Sequence, residues 1–309
     1  MKNILITGGT GSLGHALVQR LYETCNITIF SRDETKQGKM KNIYPNCTYM
    51  LGDVSKLSDL EFALRDIDTV FHFAAYKQVP SAQNNALSTV ETNVTGSINV
   101  ARASIMAGVK QVVASSTDKA CQSVNLYGMS KALMEAIYQD MNKYGGTTFH
   151  LTRYGNVVSS NASVVPLFQK QAAVGGPLTV THKDMTRFWL HIQTAVDLIL
   201  HALDVSPGII VVPKAKALPI VDVATLIGGV DLEIKEIGIR PGEKIHEAMV
   251  SEAESFHTEY SDTDNISGLT GLFYIHPPKS SYRNSTAPFS YTSDTCERLA
   301  NDEFLKMVL

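Results

Sequence analysis

Thr117, Asp118 and Lys119 stand side by side in Ser115-Ser-Thr-Asp-Lys-Ala120 and offer a hydroxyl, a carboxyl and an amine to one site. Shortly afterwards, Tyr127-Gly-Met-Ser-Lys131 places a phenol and an amine four residues apart. On a helix that spacing puts them one above the other on the same face. An ammonium beside a phenol favours the phenolate and lowers its pKa. A Tyr127 tuned in this way by Lys131 could take a proton from a hydroxyl near neutral pH, with Asp118 and Lys119 as a second acid–base centre. The same Tyr and Lys could also be two residues of an ordinary amphipathic helix. The surrounding elements decide between these readings.

Such residues need a strand ending just before Ser115 and a helix opening near Tyr127. Gln111-Val-Val-Ala reads as a buried strand, and the chain upstream repeats the pattern. Lys2-Asn-Ile-Leu-Ile-Thr7 is a short apolar strand, Gly8-Gly-Thr-Gly-Ser-Leu-Gly14 a glycine-rich turn, and His15 to Tyr22 carries helical periodicity. Gly9, Gly11 and Gly14, or Gly8, Gly11 and Gly14, fit the spaced-glycine fingerprints of a dinucleotide site, here in the confirming strand–turn–helix context. Such a turn brings the backbone close to a pyrophosphate at the helix N-terminus.

The next strand, Ile27-Thr-Ile-Phe30, ends in Ser31-Arg32-Asp33, with Lys36 close behind. An NAD site commonly has an acid here on the ribose 2′-OH. A guanidinium suits a 2′-phosphate, so NADP is favoured over NAD, although Asp33 is one place away. Asp53, with Val54 after it, is placed near the adenine; the rival reading is a turn or helix-cap acid. Asp68 to Ala75 is a fourth strand, whose small Ala74 and Ala75 let a cofactor lie close. His72 inside it reads as a packed core histidine. Glu91 to Val100 reads as a helix. The alternation predicts an α/β fold, a Rossmann-type doubly wound parallel sheet covered on both faces. The expected division is a dinucleotide-binding part over 1–160 and a smaller, partly interleaved substrate-binding part over 161–309.

Composition narrows the class. The 309 residues are 44% hydrophobic and 18% charged, as in a soluble enzyme. A net charge of -3 gives no support for a nucleic-acid or polybasic membrane surface. Cys25, Cys47, Cys121 and Cys296 lack metal-ligand spacing and read as reduced thiols of a cytoplasmic protein, with no metal site expected. The first strand begins at once, so no signal peptide is expected, and no apolar run is long enough for a membrane span.

With these pieces together the sequence resembles the extended short-chain dehydrogenase/reductases, and within them the UDP-N-acetylglucosamine 4,6-dehydratases that invert C5. The resemblance is carried by Gly8 to Gly14, Ser31-Arg-Asp-Glu34, Ala74-Ala-Tyr-Lys77, Glu91-Thr-Asn93, Ser116-Thr-Asp-Lys-Ala120 and Asn125 to Lys131. It continues in Arg153-Tyr-Gly-Asn-Val157, Met185-Thr-Arg-Phe188 and Arg240-Pro-Gly-Glu-Lys244, and covers the chain to about residue 260. It implies a redox-neutral cycle on one bound NADP. Tyr127 would take the 4-hydroxyl proton, Thr117 would bond the 4-oxygen, and Lys131 would hold the nicotinamide ribose. Lys119 would remove the C5 proton and Asp118 would protonate the departing 6-hydroxyl. Lys119 stands where retaining dTDP-glucose dehydratases typically carry Glu, which implies inversion.

Cofactor contacts are implied for Gly8, Thr10, Gly11, Ser12, Leu13, Gly14, Ser31, Arg32, Lys36, Asp53, Val54, Ala74, Ala75, Lys77, Ser116, Asn156 and Val157, besides Tyr127 and Lys131. Substrate contacts are implied for Lys77, Asn156, Val165, Pro166, Phe168, Arg187, Arg240 and Glu243. Packing is the rival reading for Val165 to Phe168, and a surface ion pair for the Arg240 turn. Relatives continue the Arg153 motif with Gly-Ser-Arg-Gly-Ser. Here Ser159-Ser-Asn-Ala-Ser163 puts Asn161 in place of a cation that could face the sugar nucleotide. Residues 255–290 are polar and turn-rich, and Lys216 to Val223 reads as a turn into a short helix. The expected partners are UDP-GlcNAc or a close relative and further copies of the chain, as a dimer or hexamer. The rivals are a UDP-sugar 4-epimerase, which has no need of Asp118 and Lys119, a C5-retaining dehydratase, and a cofactor-binding regulatory protein without turnover.

Overall fold

The apolar runs of the first half assemble side by side. A computed structural model describes residues 2–158, 163–284 and 287–308. In it β1 (Asn3–Thr7), β2 (Asn26–Ser31), β3 (Thr48–Leu51), β4 (Thr69–His72), β5 (Gln111–Ser115) and β6 (Thr148–Thr152) are parallel, in the order β3-β2-β1-β4-β5-β6. This is the doubly wound arrangement. β1 and β4 flank its switch point, and a crevice opens beyond their carboxyl ends. Ile4 to Ile6, Val70, Phe71 and Val112 to Ala114 have no exposure, because helices cover both faces.

The sheet continues past β6 with Ile210–Pro213, parallel, and then Leu269–Ile275 and Thr258–Ile266, antiparallel, giving nine strands. The polar stretch 255–290 thus holds a hairpin. Leu272 to Ile275 are buried, whereas Thr258–Ile266 is mainly exposed and lies at the edge. An edge strand covered on one side needs few apolar residues, which hid it from a periodicity reading. Lys216 to Val223 is more than a turn and helix. Ala217–Pro219 pairs with Thr186–Leu190 before the helix Ile220–Gly228 begins. Around this pair a second apolar core gathers Phe168, Trp189, Leu218 and Phe304.

The helix expected over Glu91 to Val100 is the middle of a longer helical run, Ala86–Ala107, widened by a π-helical turn at Glu91–Thr95. Asn93 lies in this turn and faces the loop after β4. Its Oδ1 accepts from the Tyr76 N–H at 2.8 Å, and its Nδ2 donates to the Tyr76 carbonyl at 3.0 Å and Ser130 Oγ at 2.9 Å. The loop carrying Ala74 to Lys77 is thereby tied to the helix carrying Tyr127. His72 is a packed core residue. It is bonded to Thr7 and Ser97 at 2.8 and 3.0 Å, and burial, with the Lys131 charge, lowers its pKa to about 3. None of the four cysteines forms a disulfide among the described residues. Among the described residues no helix is long and apolar enough to cross a membrane.

Candidate active site

A cavity of about 860 Å³ runs along the crevice. At one end Gly8 has φ +68°, and a Cβ there would lie 2.7 Å from the Ala74 nitrogen, so the ends of β1 and β4 meet only because residue 8 is glycine. Thr10, Gly11, Ser12, Leu13 and Gly14 line the wall beside it, where the helix Ser12–Leu21 begins. Ser31, Arg32 and Lys36, then Asp53 and Val54, then Ala74, Ala75 and Lys77 continue the lining, with Ser116, Asn156 and Val157 opposite.

Asp53 is a turn acid on the cavity wall. Its Oδ1 accepts from the Ser55 N–H and hydroxyl at 2.9 Å, as a turn acid, and its Oδ2 pairs with Arg32 at 3.2 Å on the cavity wall. The Arg32 guanidinium also lies 5.4 Å from the Tyr76 ring centre. Asp33 caps the helix Glu34–Lys41 through the Lys36 N–H at 2.9 Å and pairs with the Lys36 ammonium at 2.9 Å. A nicotinamide dinucleotide fits this cradle. The turn presents backbone N–H groups at a helix start, and the Ser116 hydroxyl in the wall is buried without a hydrogen-bond partner among the described residues.

The acid–base groups meet beyond the end of β5. Thr117 caps a single helical turn, Asp118–Ala120, and its hydroxyl donates to Asp118 Oδ1 at 2.9 Å. Asp118 is fully buried and anchored by its N–H to the Tyr154 carbonyl at 3.0 Å. The Lys119 ammonium donates to Asp118 Oδ1 at 2.9 Å and to Asn156 Oδ1 at 3.4 Å, and lies 3.4 Å from Glu247 Oε1. The helix Leu126–Met141 opens against this turn. Asn125 caps it, accepting from the Gly128 N–H at 2.8 Å. A Cβ on Gly128 would lie 2.1 Å from the Lys119 carbonyl, so glycine lets the helix bring Tyr127 up to Lys119. Thr117, Lys119, Tyr127 and Lys131 all line the cavity, with Asp118 behind them.

The electrostatics correct one expectation. The Lys131 ammonium was expected to lower the Tyr127 pKa, yet burial pushes Tyr127 up to about 12. The Lys119 charge and a hydrogen bond with Thr117 offset this burial only in part, and the Asp118 charge adds to it. Lys131 is itself lowered to about 8 by burial, against the Glu135 charge. A dry wall penalises charge on both members of the pair. Lys119 behaves differently. Burial would lower it, but the Asp118 and Glu247 carboxylates outweigh burial and the Arg187 charge, and hold it above its ordinary value.

Of the residues expected at the substrate, Lys77, Asn156, Arg240 and Glu243 line the cavity. Val165 and Phe168 belong to the second core instead. Helical spacing turns both to that one face, and Ser163 and Val164 touch the cavity rather than Pro166. Asn161 lies outside the described residues. Arg187 is not in the wall either. It donates to the carbonyls of Thr186 at 2.7 Å and of Ile245 and Lys244 at 2.9 Å, so it holds the segment after the Arg240 turn. That segment is latched at two further points. Asn125 Nδ2 donates to the Gly242 carbonyl at 2.8 Å, and the Lys244 ammonium to the Cys121 carbonyl at 2.6 Å. Glu247 and Tyr154 escaped the sequence reading. The Arg153 motif could have pointed to Tyr154, whereas nothing near Glu247 in sequence marks it as a neighbour of Lys119.

A model of the family described as polysaccharide biosynthesis protein matches residues 4–267. A UDP-N-acetylglucosamine 4,6-dehydratase (inverting) of Campylobacter jejuni subsp. jejuni serotype O:23/36 (strain 81-176) is 40% identical over 321 residues, covering 98% of this chain and 96% of its own. A UDP-glucose 4-epimerase of Rickettsia bellii (strain OSU 85-389) is 40% identical over 273 residues, covering 84% and 80%. Among solved structures, Pen from Bacillus thuringiensis matches with a TM-score of 0.90 at 29% identity, covering 99% of this chain and 97% of its own.

Proposed function

This chain belongs to the polysaccharide biosynthesis protein family, and we propose that within it the chain is a UDP-N-acetylglucosamine 4,6-dehydratase that inverts C5 and uses NADP. The observation that carries the reading is Lys119 on the cavity wall with Tyr127, hydrogen-bonded to Asp118 just behind it, a second acid–base centre that a 4-epimerase does not need. The dehydratase relative, 40% identical over 98% of the chain, supports it further. For the cofactor, Arg32, Asp33 and Lys36 all line the cavity, but Asp33 is held as a helix cap and by Lys36, so the cations there favour a 2′-phosphate over a bare ribose. Four cysteines without a disulfide among the described residues suit a cytoplasmic setting.

A bound nicotinamide would supply hydride acceptance at C4 of the sugar and hydride return at C6. Tyr127, which burial holds as the phenol, must first lose its proton. The positive charge that an oxidised nicotinamide would bring favours the phenolate, which then takes the 4-hydroxyl proton while Thr117 bonds the 4-oxygen. The ketone acidifies C5–H. Lys119 then takes the C5 proton as a neutral amine, and Asp118, as a neutral acid, protonates the departing 6-hydroxyl, so that water leaves. Before this step one proton must pass from Lys119 Nζ to Asp118 Oδ1 across their 2.9 Å hydrogen bond. A sugar that displaces water from the cavity favours that neutral pair over the ion pair. Elimination then restores the ion pair seen here, and after hydride reaches C6 the resulting enolate takes a solvent-derived proton at C5 on the face opposite the one deprotonated, as inversion requires.

The test is proton NMR of UDP-GlcNAc incubated with the enzyme and NADP in D₂O. The expected first product is UDP-2-acetamido-2,6-dideoxy-β-L-arabino-hex-4-ulose, deuterated at C5. A D-xylo ketone formed first would refute inversion and leave dehydration standing. The 40% identity to a relative named a 4-epimerase supports a second reading, and a C4 epimer without any ketone would establish it.

A further inference from the structure

Glu247 touches Lys119, yet the reaction above gives it no task. It is buried, its Oε1 lies 3.4 Å from the Lys119 ammonium, and its Oε2 lies 3.5 Å from the Lys244 ammonium. Oε2 is buried and pairs with Lys244 by charge alone, without hydrogen-bond geometry. The backbone fixes the side chain from behind, because the Glu247 N–H donates to Ser293 Oγ at 2.9 Å and its carbonyl accepts from the Ser293 N–H at 2.8 Å. Asp118 accepts hydrogen bonds from both Thr117 and Lys119, whereas Glu247 Oε1 lies 3.4 Å from the same ammonium. The reaction above moves a proton through Asp118 and none through Glu247.

The other charged and titratable groups facing this cluster are Asp118 and Tyr127 from the first half, Arg187 from the strand Thr186–Leu190, and Lys244 and His246 from Glu247's own segment. Arg187 and Lys244 are committed to backbone carbonyls. His246 is bonded to Thr186 Oγ1 at 2.9 Å. Glu247 is thus a second carboxylate beside Lys119, brought there by a segment far from Asp118 in the chain.

We propose that Glu247 is a positioning residue for Lys119, holding the ammonium between two carboxylates and deciding when the amine is released to act as a base. The role assigned to Lys119 rests on the dehydratase reading, but its coupling to Glu247 can be measured without substrate. Lys119 reacts with fluorodinitrobenzene only as the neutral amine, so its labelling rate against pH, read by peptide mass spectrometry, follows its proton. A unit charge at this distance shifts a neighbour by roughly one unit or more, so Glu247→Gln should label Lys119 about tenfold faster at a given pH below its midpoint. Lys131, in the same cavity, should label equally in both proteins, which separates an electrostatic effect from a general loosening. Equal labelling of Lys119 in the two proteins would overturn the proposal, and so would a parallel rise at Lys131. Should Glu247→Gln fail to fold, Glu247→Asp carries the test, because the shorter side chain withdraws the charge and should give a smaller rise at Lys119 alone. Whether the unmodified enzyme forms a 4-keto product is scored separately. Failure there removes the dehydratase reading and leaves the labelling result standing.

Discussion

The glycine turn after β1 and the segment from Arg240 to Glu247 face the same cavity, but they are held there by different means. The turn is positioned by its immediate neighbours, a buried strand before it and a helix after it. The second segment has little regular structure of its own. It is held by Arg187, Asn125 and Cys121, and its Glu247 reaches Lys119. One half of the site follows from local sequence, and the other depends on contacts between residues far apart in the chain.

The sharpest test of this contrast is chemical. Tyr127→Phe should abolish the first oxidation, leaving no absorbance from reduced nicotinamide and no ketone. Lys119→Ala should still oxidise C4 but lose turnover by ~10²–10⁴-fold, with C5 exchange suppressed. Near-full turnover in Lys119→Ala would remove it as the C5 base.

Next in size is the join between the halves. Arg153, 2% exposed, donates to Glu135 at 3.0 and 2.7 Å and to Glu254 at 2.7 Å, linking the Tyr127 helix to the segment after Val250. Arg153→Leu should cost about 3–5 kcal/mol in urea unfolding, because it strands two carboxylates. Burial would raise the Glu254 pKa, but the Arg153 charge and hydrogen bonds outweigh it and lower the value to about 2. The stability from that depressed carboxylate is complete above its unfolded value of 4.5 and is lost as pH falls toward about 2. Arg153→Leu should flatten the acid limb over that window, and an unchanged limb would show that the link is not what acid breaks.

The cofactor end should respond more mildly. Losing a charge-assisted contact costs about 1.5–3 kcal/mol, so Arg32→Ala should reduce the preference for NADP by about tenfold or more. Equal dissociation constants for NADP and NAD in the unmodified protein would refute the premise. The smallest effect is expected at Asn125, which caps the Tyr127 helix and holds Gly242. Asn125→Ala should cost about 1 kcal/mol of stability. It should also raise the KM for the sugar nucleotide through the loosened Arg240 turn, whereas a KM equal to that of the unmodified enzyme would mean that the turn is held elsewhere.

What could be read from the sequence follows the same division. Gly8 to Gly14, the Ser31-Arg32 strand end and the Tyr127/Lys131 spacing carry their meaning within a few residues, and all of them except Gly9 line the cavity. Val165 and Phe168 were placed near the substrate because an apolar helix looks alike whichever face it buries, and only packing shows that theirs is the second core. Arg187 looks like a free cation in sequence, but three carbonyls occupy its guanidinium. The direction of the Tyr127 shift is invisible to spacing, which points to Lys131 but shows neither the burial that raises the phenol nor that the ammonium opposing it belongs to Lys119.

The hairpin that completes the sheet also bears on how the molecule keeps its copies apart. A nine-stranded sheet exposes backbone donors and acceptors along its outermost strand, where another chain could add itself. Here that strand, Thr258–Ile266, carries Glu259, Asp262 and Asp264, and its pairing slips between Ser261 and Asn265. Like charges repel a second copy of the same edge, and the irregular register denies it a straight ladder to extend. The polar composition that concealed this strand in the sequence therefore guards the open side of the sheet against runaway assembly.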